Sequence, residues 1–562
     1  MADGAHRLKR SRLHREPVGP ALRVVVLLGA RRGPRWLAES LAALQECPFL
    51  DVTVLRTGES VAQLRHRTFD TYLALDARLA GPMRTILEET PLLGECVDAP
   101  ALDGVAGATG CCVASDDARA AIRQHQPDVL LIIGHAPPHP DLAALATTTW
   151  TLDADATSSL RCGAWMLPAF RAGHVSATVG LRVHDAGRDA WILLEPGVIS
   201  VAQISFTRHR AYQLQKAPAQ LTRALRRLAC GQPPRAAVAE PGAALPGPLQ
   251  TGWLGMCLLA RGLRRHFYRP LRRESWSIAL RRSQTGIDPA DPHFSPDRVL
   301  HPPRGWFWAD PAPVHHEGRF YILVEAYHHR TRRGEIHTLE LDDALNVVRI
   351  ERTLQRPYHL SYPHLLEWQG RSCLVMESAL AERVELLGAV TFPSQWQSLG
   401  QLLNGWRVVD ATLIAHDGRW WMFACVAETV FNDDGREWNE LFLFHAPSPE
   451  GPWTPHAQNP VCSDVHRARP AGPLFVRDGR LIRPGQDCAA EYGRAIVFHE
   501  IRVLDPERYE ECVLGTLEPT WAGGLRGCHT YARHGDIDVV DVKHLTARVP
   551  VGAAPFPAET KP

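Results

Sequence analysis

Acidic side chains recur at matching places in the second half of the chain. Asp310 and Asp410 each follow a short apolar run, and so do Glu325 and Glu377. Chemistry at a glycosidic bond needs two carboxyl groups, one protonated to act as an acid and one ionised to act as a base or nucleophile. We therefore predict that Asp310, Asp410 and Glu377 form the catalytic set of a sugar-processing site.

Polar residues close to these carboxyl groups in the sequence are candidates for binding the substrate. Arginine in particular can hold a phosphate or a carboxylate through two parallel hydrogen bonds. The predicted substrate-binding residues are His364, Arg469, Gln486, Asp487, Arg526 and His529. An aspartate that merely caps a strand end is the alternative at any single position. The spacing of these groups matches no compact zinc motif, so we expect no metal.

A repeated glycine turn indicates what positions these residues. The turn glycines are Gly318, Gly370, Gly418, Gly479 and Gly535, with spacings of 52, 48, 61 and 56 residues (370 − 318, 418 − 370, 479 − 418, 535 − 479). A period near 50, with β-forming residues on both sides of each turn, is typical of a β-propeller. We predict a five-bladed propeller over residues 275–545, in which a strand at Trp276–Leu280 completes the last blade and closes the ring.

The first part of the chain has a different pattern. Continuous apolar strands at 22–29 and 128–134 alternate with a helix near 35–47. This alternation predicts an α/β domain over residues 20–230 with a parallel, doubly wound sheet. Ligands of such sheets bind beyond the carboxyl ends of the strands, which makes His135 a candidate site residue.

Composition limits the classes of function. The chain has 562 residues and a formal net charge of +1, so its overall charge gives no reason to expect nucleic acid as a partner. Its 13 cysteines are scattered and form no C-x-x-C pair, and no apolar leader precedes residue 22. We therefore expect a reduced, cytoplasmic protein. Residues 231–274 are expected to be a Pro-rich linker and a basic amphipathic segment, and residues 546–562 a tail.

The segment at 253–273 leaves two interpretations open. An apolar stretch, residues 253–260, is followed by a run rich in arginine. Such a segment is too short to span a bilayer but could lie on an anionic membrane surface. The alternative is an amphipathic helix docked between the two domains.

Several motifs of the second half resemble one known domain. These are Phe307–Pro311, Tyr358–Pro363, Asp410–Leu413, Ala468–Gly472, Arg483–Asp487 and Gly524–Thr530. They resemble the propeller at the N-terminus of plant glucosamine inositolphosphorylceramide transferases and, more distantly, glycoside hydrolase families 43, 32 and 68. The resemblance implies that Asp310 is the base or nucleophile and that Asp410 assists it. The blade-4 channel strand carries Arg469 where the acid is expected, and Glu377 is the nearest substitute by motif.

A second resemblance covers the first domain. Arg161-Cys162-Gly163-Ala164-Trp165 is similar to the Arg-Gly-Ala-Ala-Pro motif of the formyltransferase fold. That family uses an Asn, a His and an Asp, and the matching positions here are Thr151, Asp153 and Asp189. Because an aspartate cannot replace a neutral imidazole without changing the charge of the site, we expect a formyltransferase-like fold that has lost formyl transfer.

Together these features predict a multidomain protein of glycan or glycolipid biosynthesis. The propeller channel is expected to bind a sugar or sugar phosphate and to catalyse glycosyl transfer there. Two alternatives remain: an N-formyltransferase of an amino sugar that uses a tetrahydrofolate donor, and a glycan-binding scaffold without catalysis. The sequence does not identify a cofactor.

Overall fold

The computed structural model describes residues 11–57, 67–78, 80–93, 101–108, 111–239, 245–268, 272–428 and 439–547. The chain divides into two compact units. The first unit consists mainly of residues 16–265. The second consists mainly of residues 266–427 and 435–562 and also includes residues 1–15. Among the described helices, none is both long enough and apolar enough to cross a membrane.

The first unit contains eleven strands and eight helices within its described residues. The strands are β1 Leu22–Leu28, β2 Arg32–Pro34, β3 Leu50–Arg56, β4 Glu89–Pro91, β5 Val105–Ala108, β6 Cys111–Ala114, β7 Val129–Ile133, β8 Thr148–Leu152, β9 Ser176–Asp185, β10 Ala190–Ser200 and β11 Ala236–Val238. The helices are α1 Arg35–Glu46, α2 Arg67–Ala77, α3 Asp116–Gln124, α4 Pro140–Ala143, α5 Leu167–Ala172, α6 Phe206–Leu214, α7 Ala217–Ala229 and α8 Pro248–Tyr268. Short 3-10 turns lie at Gly81–Leu87, Ala154–Thr157 and Ala164–Met166.

A seven-stranded sheet forms the centre of this unit, in the order β11-β10-β9-β8-β7-β1-β3. Both of its faces are covered, because alternate residues of β1 enter two separate cores. Val24 and Val26 pack on one face with Leu37 of α1, while Val25 packs on the other with Ile122 of α3. A strand buried on both faces must be apolar throughout, which explains the continuous apolar runs in the sequence.

The prediction of a parallel sheet is wrong for half of this unit. Strands β3, β1, β7 and β8 are parallel, but β9, β10 and β11 pair in antiparallel fashion. The cause is the tight connection at residues 186–189, which joins β9 directly to β10 and leaves no crossover helix between them. Strand β11 lies within the segment that the sequence marked as a linker.

The second unit is a ring of five sheets built from β12 to β34. The strands are β12 Arg272–Arg282, β13 Arg298–Leu300, β14 Trp306–His316, β15 Arg319–His328, β16 Arg333–Leu341, β17 Val347–Leu354, β18 Ser361–Trp368, β19 Arg371–Ser378, β20 Arg383–Thr391, β21 Gln395–Asn404, β22 Arg407–His416, β23 Arg419–Ala427, β24 Glu440–Ala446, β25 Thr454–Pro455, β26 Cys462–Ser463, β27 Arg469–Pro470, β28 Phe475–Arg477, β29 Arg480–Asp487, β30 Ala495–Leu504, β31 Tyr509–Leu517, β32 Leu525–Gly527, β33 Tyr531–His534 and β34 Ile537–Ala547. The predicted five-bladed propeller is confirmed.

Each blade connects its inner strands through the glycine turn found in the sequence. All five turn glycines have positive φ, between 60° and 77°. In the first four blades the residue before the glycine also has positive φ, for example 48° at Glu317 and 51° at Asp478. Two successive left-handed residues make a type I′ turn, whose twist matches that of the flanking strands, and glycine adopts the second position without steric strain.

The ring closes between the two ends of this unit. Strand β12 pairs with β34 along eleven residues, from Arg272 opposite Ala547 to Arg282 opposite Ile537. This is the closure expected for the segment around Trp276. Because β12 comes before the first blade and β34 ends the last one, the pairing removes the free edges that an open ring would have.

Candidate functional site

A shared backbone irregularity places three side chains at the same position in blades 1, 2 and 3. The register of the two inner strands shifts at Ala309/Ala312, Ser361/His364 and Val409/Thr412. The bulged residues Asp310, Tyr362 and Asp410 have φ values of 51°, 47° and 56°. Bulges with left-handed residues re-aim side chains, and they are frequent beside functional sites.

Asp310 lies at the centre of a buried hydrogen-bond network. Its Oδ1 accepts from the Thr530 hydroxyl at 2.9 Å and its Oδ2 accepts from the Tyr362 N–H at 3.2 Å. Its own N–H donates to Oδ2 of Asp541 at 3.1 Å. Burial raises the pKa of the Asp310 carboxyl, and the nearby His529 opposes that shift. The network thus joins blades 1, 2 and 5.

His529 and Asp541 form a second part of the network in blade 5. Nδ1 of His529 lies 2.5 Å from Oδ2 of Asp541, and its Nε2 lies 3.8 Å from Oδ1 of Asp310. Burial disfavours a charged imidazole, but the carboxylates of Asp541 and Asp310 outweigh it and raise the pKa of His529. The Trp276 ring stacks on the imidazole with centroids 4.0 Å apart. A protonated His529 therefore balances charge between two aspartates.

Asp410 is neutralised by a side chain from blade 4. Arg469 donates to both Asp410 oxygens, from Nε to Oδ2 and from Nη2 to Oδ1, the latter at 3.2 Å. Gln486 adds a hydrogen bond from its Nε2 to Oδ2 of Asp410 at 2.9 Å. The Arg469 guanidinium also lies over the Tyr492 ring, 4.8 Å from its centroid. Arg469, predicted to bind a substrate anion, is thus engaged with Asp410.

Glu377 differs from its neighbours in having a carboxyl oxygen without a protein partner. Its Oε2 accepts from the Ala411 N–H at 2.8 Å. Its Oε1 is buried and has no hydrogen-bond partner among the described residues. Burial and the charge of Asp410 raise the pKa of Glu377 well above its usual value. A protonated Glu377 therefore offers an O–H donor at the axis.

Glu325 occupies the corresponding position in blade 1. It lies opposite Ala309 as Glu377 lies opposite Ser361. Burial, followed by the charge of Asp310 and a hydrogen bond with it, raises the pKa of Glu325 well above its usual value. Each of these glutamates follows its turn glycine by seven residues (325 − 318 and 377 − 370), a regularity visible in the sequence.

Acidic groups outnumber cations at the axis. The buried acidic side chains are Asp310, Glu325, Glu377, Asp410 and Asp541. The cations that contact them are Arg469 and His529. Because burying unpaired charge is costly, an excess of carboxyl groups is accommodated by protonating some of them. Burial raises the pKa of Asp310, Glu325 and Glu377, and most strongly that of the two glutamates, so these groups are the ones in which the protonated form is favoured.

Asp541 is a buried residue of the site that was not among the predicted site residues. It accepts from the backbone N–H groups of His529 and Thr530 at 2.8 Å and 2.9 Å, besides its contact with the imidazole. It follows Gly535 by six residues (541 − 535), not seven, so it does not match the position of Glu325 and Glu377 in their blades. Ligand atoms of Asp310, His529 and Asp541 come within 4.8 Å of one another, as in a cation site. Here Asp541 accepts from the Asp310 N–H and contacts the His529 ring, while Nε2 of His529 lies 3.8 Å from Asp310.

The remaining propeller candidates take separate positions. His364 is buried and neutral, because burial lowers its pKa to about 4, and its Nε2 accepts from the Leu413 N–H at 3.1 Å. Asp487 accepts from the Ala489 N–H and from Arg494, both at 2.9 Å. The Arg526 side chain is 53% exposed and lies 3.9 Å from Glu491. Of these three, Arg526 is the one accessible to an anionic ligand.

The three candidates in the first unit contact different neighbours. Asp153 pairs with Arg182, and Nε2 of His135 lies 2.6 Å from the Thr57 hydroxyl. The Asp189 side chain is 96% exposed at the β9–β10 connection, where it lies 3.4 Å from His184. Their contacts give no indication of a common site.

The fold and the site define the second unit as a five-bladed propeller with an acidic axis. Residues 300–546 match the family described as glucosamine inositolphosphorylceramide transferase 1, N-terminal. This match confirms the resemblance that the propeller motifs indicated.

Two of the similar proteins are plant enzymes with that name. Glucosamine inositolphosphorylceramide transferase 1 of Oryza sativa subsp. japonica is 34% identical over 209 residues, and that of Arabidopsis thaliana is 30% identical over 208. Each match covers 36% of this chain and 27% of the relative. The chain therefore matches about a quarter of the length of these relatives.

Solved structures with a similar arrangement include glycoside hydrolases. A thermostable family-43 glycoside hydrolase is 14% identical, with 39% of this chain and 79% of that chain covered and a TM-score of 0.30. Zg3597, a family 117 glycoside hydrolase of Zobellia galactanivorans, is 13% identical, with 48% and 90% covered and a TM-score of 0.31.

Proposed function

We propose that the propeller transfers a sugar during glycan or glycolipid assembly, with its axis as the reaction site. The observation that carries this proposal is the presence of two unlike carboxyl groups in one buried cluster. Burial raises the pKa of both groups, that of Glu377 well above its usual value, and they differ in their partners: Asp310 accepts a hydrogen bond on each oxygen, whereas Oε1 of Glu377 has no partner among the described residues. An acid and a base with different environments are what glycosyl chemistry requires.

In the proposed step, Glu377 acts as the general acid. Its Oε1–H protonates the oxygen of the leaving group while the bond from that oxygen to the anomeric carbon breaks. Asp310 acts as the general base and takes the proton from the hydroxyl of the acceptor, whose oxygen forms the new bond to the anomeric carbon. The raised pKa of Asp310 suits this role, because a base works best when its pKa approaches the working pH. The proton gained by Asp310 equals the one lost by Glu377.

Asp410 and Arg469 support this step without taking part in proton transfer. Asp410 lies beside Glu377, and its negative charge helps to keep Glu377 protonated. Arg469 holds Asp410 in place and compensates its charge within the protein. An anionic group of the substrate would then be bound by Arg526, which is exposed.

The substrate class is proposed from the relatives. Their name specifies transfer of glucosamine to inositolphosphorylceramide. We infer that the donor of this chain is a nucleotide-linked amino sugar and that the acceptor is a lipid with a phosphoinositol head group. Both carry phosphate, which an exposed arginine can bind.

The test is a transfer assay with the full chain, amino-sugar nucleotides and phosphoinositol lipids. We expect Glu377→Gln and Asp310→Asn each to lower kcat by about 10²–10⁴, the usual contribution of a general acid or base. Glu335→Gln is the matched control: Glu335 is equally buried but pairs with His337 in β16, away from the bulges. Full activity in both axis variants would refute the proposed mechanism.

A second candidate function is binding without turnover. It is favoured by Asp410, whose carboxylate already accepts three hydrogen bonds, two from Arg469 and one from Gln486, and therefore has little capacity left to act on a sugar. Calorimetric titration of the same lipids and sugars distinguishes the two functions. Binding that is lost in Asp310→Ala, in a chain that shows no transfer with any donor, would support the binding protein, and unchanged binding would count against it.

A further inference from the structure

Helix α8 presents a continuous apolar face to solvent. The exposed fractions are 91% at Leu249, 63% at Trp253, 59% at Met256, 65% at Leu259 and 49% at Leu263. Their spacing of three or four residues places these side chains on one side of the helix. Large apolar side chains gathered on an exposed face usually mark a surface that contacts a partner or a membrane.

The opposite face of α8 already packs against the first unit. Leu254 is buried in its core, and Leu258 packs against that core. The Arg261 guanidinium lies 5.4 Å from the centroid of the Phe170 ring and donates to the Gln203 carbonyl at 2.6 Å. Since α8 is held on this side, its exposed face is not needed to dock the helix onto its own unit.

A groove of about 480 Å³ opens between α5 and α8. Its walls include Leu167 and Phe170 from α5 and Trp253 and Leu258 from α8, and arginines 171 and 261 also line it. A site with apolar walls and cationic groups is complementary to an amphiphilic molecule with an acidic head group.

Charge distinguishes among the molecules that could cover this face. Helix α8 contains no aspartate or glutamate, and six arginines occur in the sequence between residues 261 and 273. Interfacial helices combine a face of Trp and Leu with nearby basic residues, because the apolar side chains enter the head-group region while the cations attract anionic lipids.

We propose that the exposed face of α8 docks the protein on the surface of an anionic lipid bilayer. Trp253, Met256 and Leu259 insert at the boundary between head groups and acyl chains, with the helix parallel to the membrane plane. Arg171 and Arg261, which line the adjoining groove, add attraction to negatively charged head groups. This docking is independent of the chemistry proposed at the propeller axis.

The test is flotation of the full chain with vesicles. We expect flotation with phosphatidylcholine vesicles that contain 30% phosphatidylserine and weaker flotation with phosphatidylcholine alone. Salt at about 0.5 M should reduce the first value, because screening shortens the reach of the arginine charges. The double variant Trp253→Ser with Leu259→Ser should bind at least about tenfold more weakly.

The matched control replaces exposed apolar residues elsewhere. Leu380 is 60% exposed and Val476 is 63% exposed, both in the propeller, so Leu380→Ser with Val476→Ser removes similar side chains and should float as the wild type does. No flotation of the wild-type chain, or equal flotation of the α8 variant, would overturn the proposal. Self-association of the wild type that disappears in the α8 variant, without flotation, would instead assign the face to a second copy and also overturn it.

A depth measurement gives an independent readout. Trp253→Phe keeps the face apolar but removes one of the 16 tryptophans of the chain. With brominated phosphatidylcholine in the vesicles, we expect less quenching of tryptophan fluorescence in this variant and unchanged flotation. Equal quenching in the variant and the wild type would show that Trp253 does not enter the bilayer.

Discussion

The candidate aspartates at the propeller axis and those in the α/β unit differ in how far they are exposed to solvent. At the axis, Asp310 and Asp410 are 5% and 1% exposed and share partners from several blades. In the first unit, the Asp189 side chain is 96% exposed and that of Asp153 is 23% exposed. Burying a carboxylate is costly, so a cluster that remains buried indicates a site in a way that a dispersed set does not.

The two units show that candidate residues in a sequence do not always come together as a site in the structure. The sequence indicated candidate functional residues in both units. Within the described residues, the propeller candidates meet in one network, with pKa values raised at Asp310 and Glu377, whereas those of the first unit do not. A match in sequence position indicates common ancestry or fold, whereas chemistry depends on the geometry of particular residues.

The largest expected effect concerns the ion pair at the axis. Arg469→Met leaves Asp410 buried without its cation, and we expect the propeller to lose about 3–5 kcal/mol of unfolding free energy, the usual cost of breaking a buried pair. The comparable change in the first unit, Arg182→Met, should cost about 1 kcal/mol or less, because Asp153 keeps contact with water. Urea unfolding, followed by hydrogen exchange in each unit, measures both values.

A double variant tests whether the lost stability comes from the unpaired charge of Asp410. Arg469→Met combined with Asp410→Leu removes both charges, so it should recover much of the lost stability. Equal losses of unfolding free energy in Arg469→Met and Arg182→Met would show that the two ion pairs contribute equally to stability despite their different burial. The comparison between the two units would then fail on energetic grounds.

The propeller was largely predictable because its signals are local. The glycine turns require left-handed backbone at fixed places, and each turn joins two strands that are adjacent in sequence. Asp310, Asp410 and Glu377 could be found by their distance from those turns. The pairing of Asp410 with Arg469, 59 residues further along the chain (469 − 410), depends on the packing of neighbouring blades and has no local signal.

The α/β unit was less predictable because its strands pair across long separations. The apolar runs of β1 and β7 correctly indicated buried strands, since both faces of the sheet are covered. The direction of β9 and β10 depends on a short connection at 186–189 whose turn residues were not recognised. The resemblance to the formyltransferase fold placed the catalytic aspartate at Asp189, yet this residue lies in that exposed connection.

The second prediction uses pH to test the protonated glutamate. The raised pKa of Glu377 means that the folded protein keeps a proton that the unfolded chain releases near pH 4.3. The contribution of Glu377 to the free energy of unfolding of the wild type is therefore complete below that pH. It is lost as the pH rises towards the pKa that Glu377 has in the folded protein. Glu377→Gln lacks this loss, so its stability relative to the wild type should increase between pH 5 and 8.

The control for this experiment is a carboxylate with the opposite shift. Hydrogen bonds from Asn346 lower the pKa of Asp342, which is exposed in blade 1. Both folded and unfolded chains are ionised at this residue above pH 5, so Asp342→Asn should differ from the wild type by a constant amount over the same range. Thermal unfolding at several pH values gives both differences, and a constant difference for Glu377→Gln would contradict the assignment of Glu377 as the acid.

The smallest expected effect concerns Asp189 in the first unit. Because its side chain is almost fully exposed, Asp189→Ala should change the unfolding free energy by no more than about 0.5 kcal/mol. The same variant should leave sugar transfer unchanged. Incubation of the wild-type chain with a formyl-tetrahydrofolate and amino-sugar nucleotides should give no formylated product, because Thr151 and Asp153 stand at the positions where a resemblance to formyltransferases would require an Asn and a His. Turnover by the wild type that disappears in Asp189→Ala would instead show that this exposed residue forms a catalytic site once substrate binds, and the contrast between the two units would then reflect the unliganded state only.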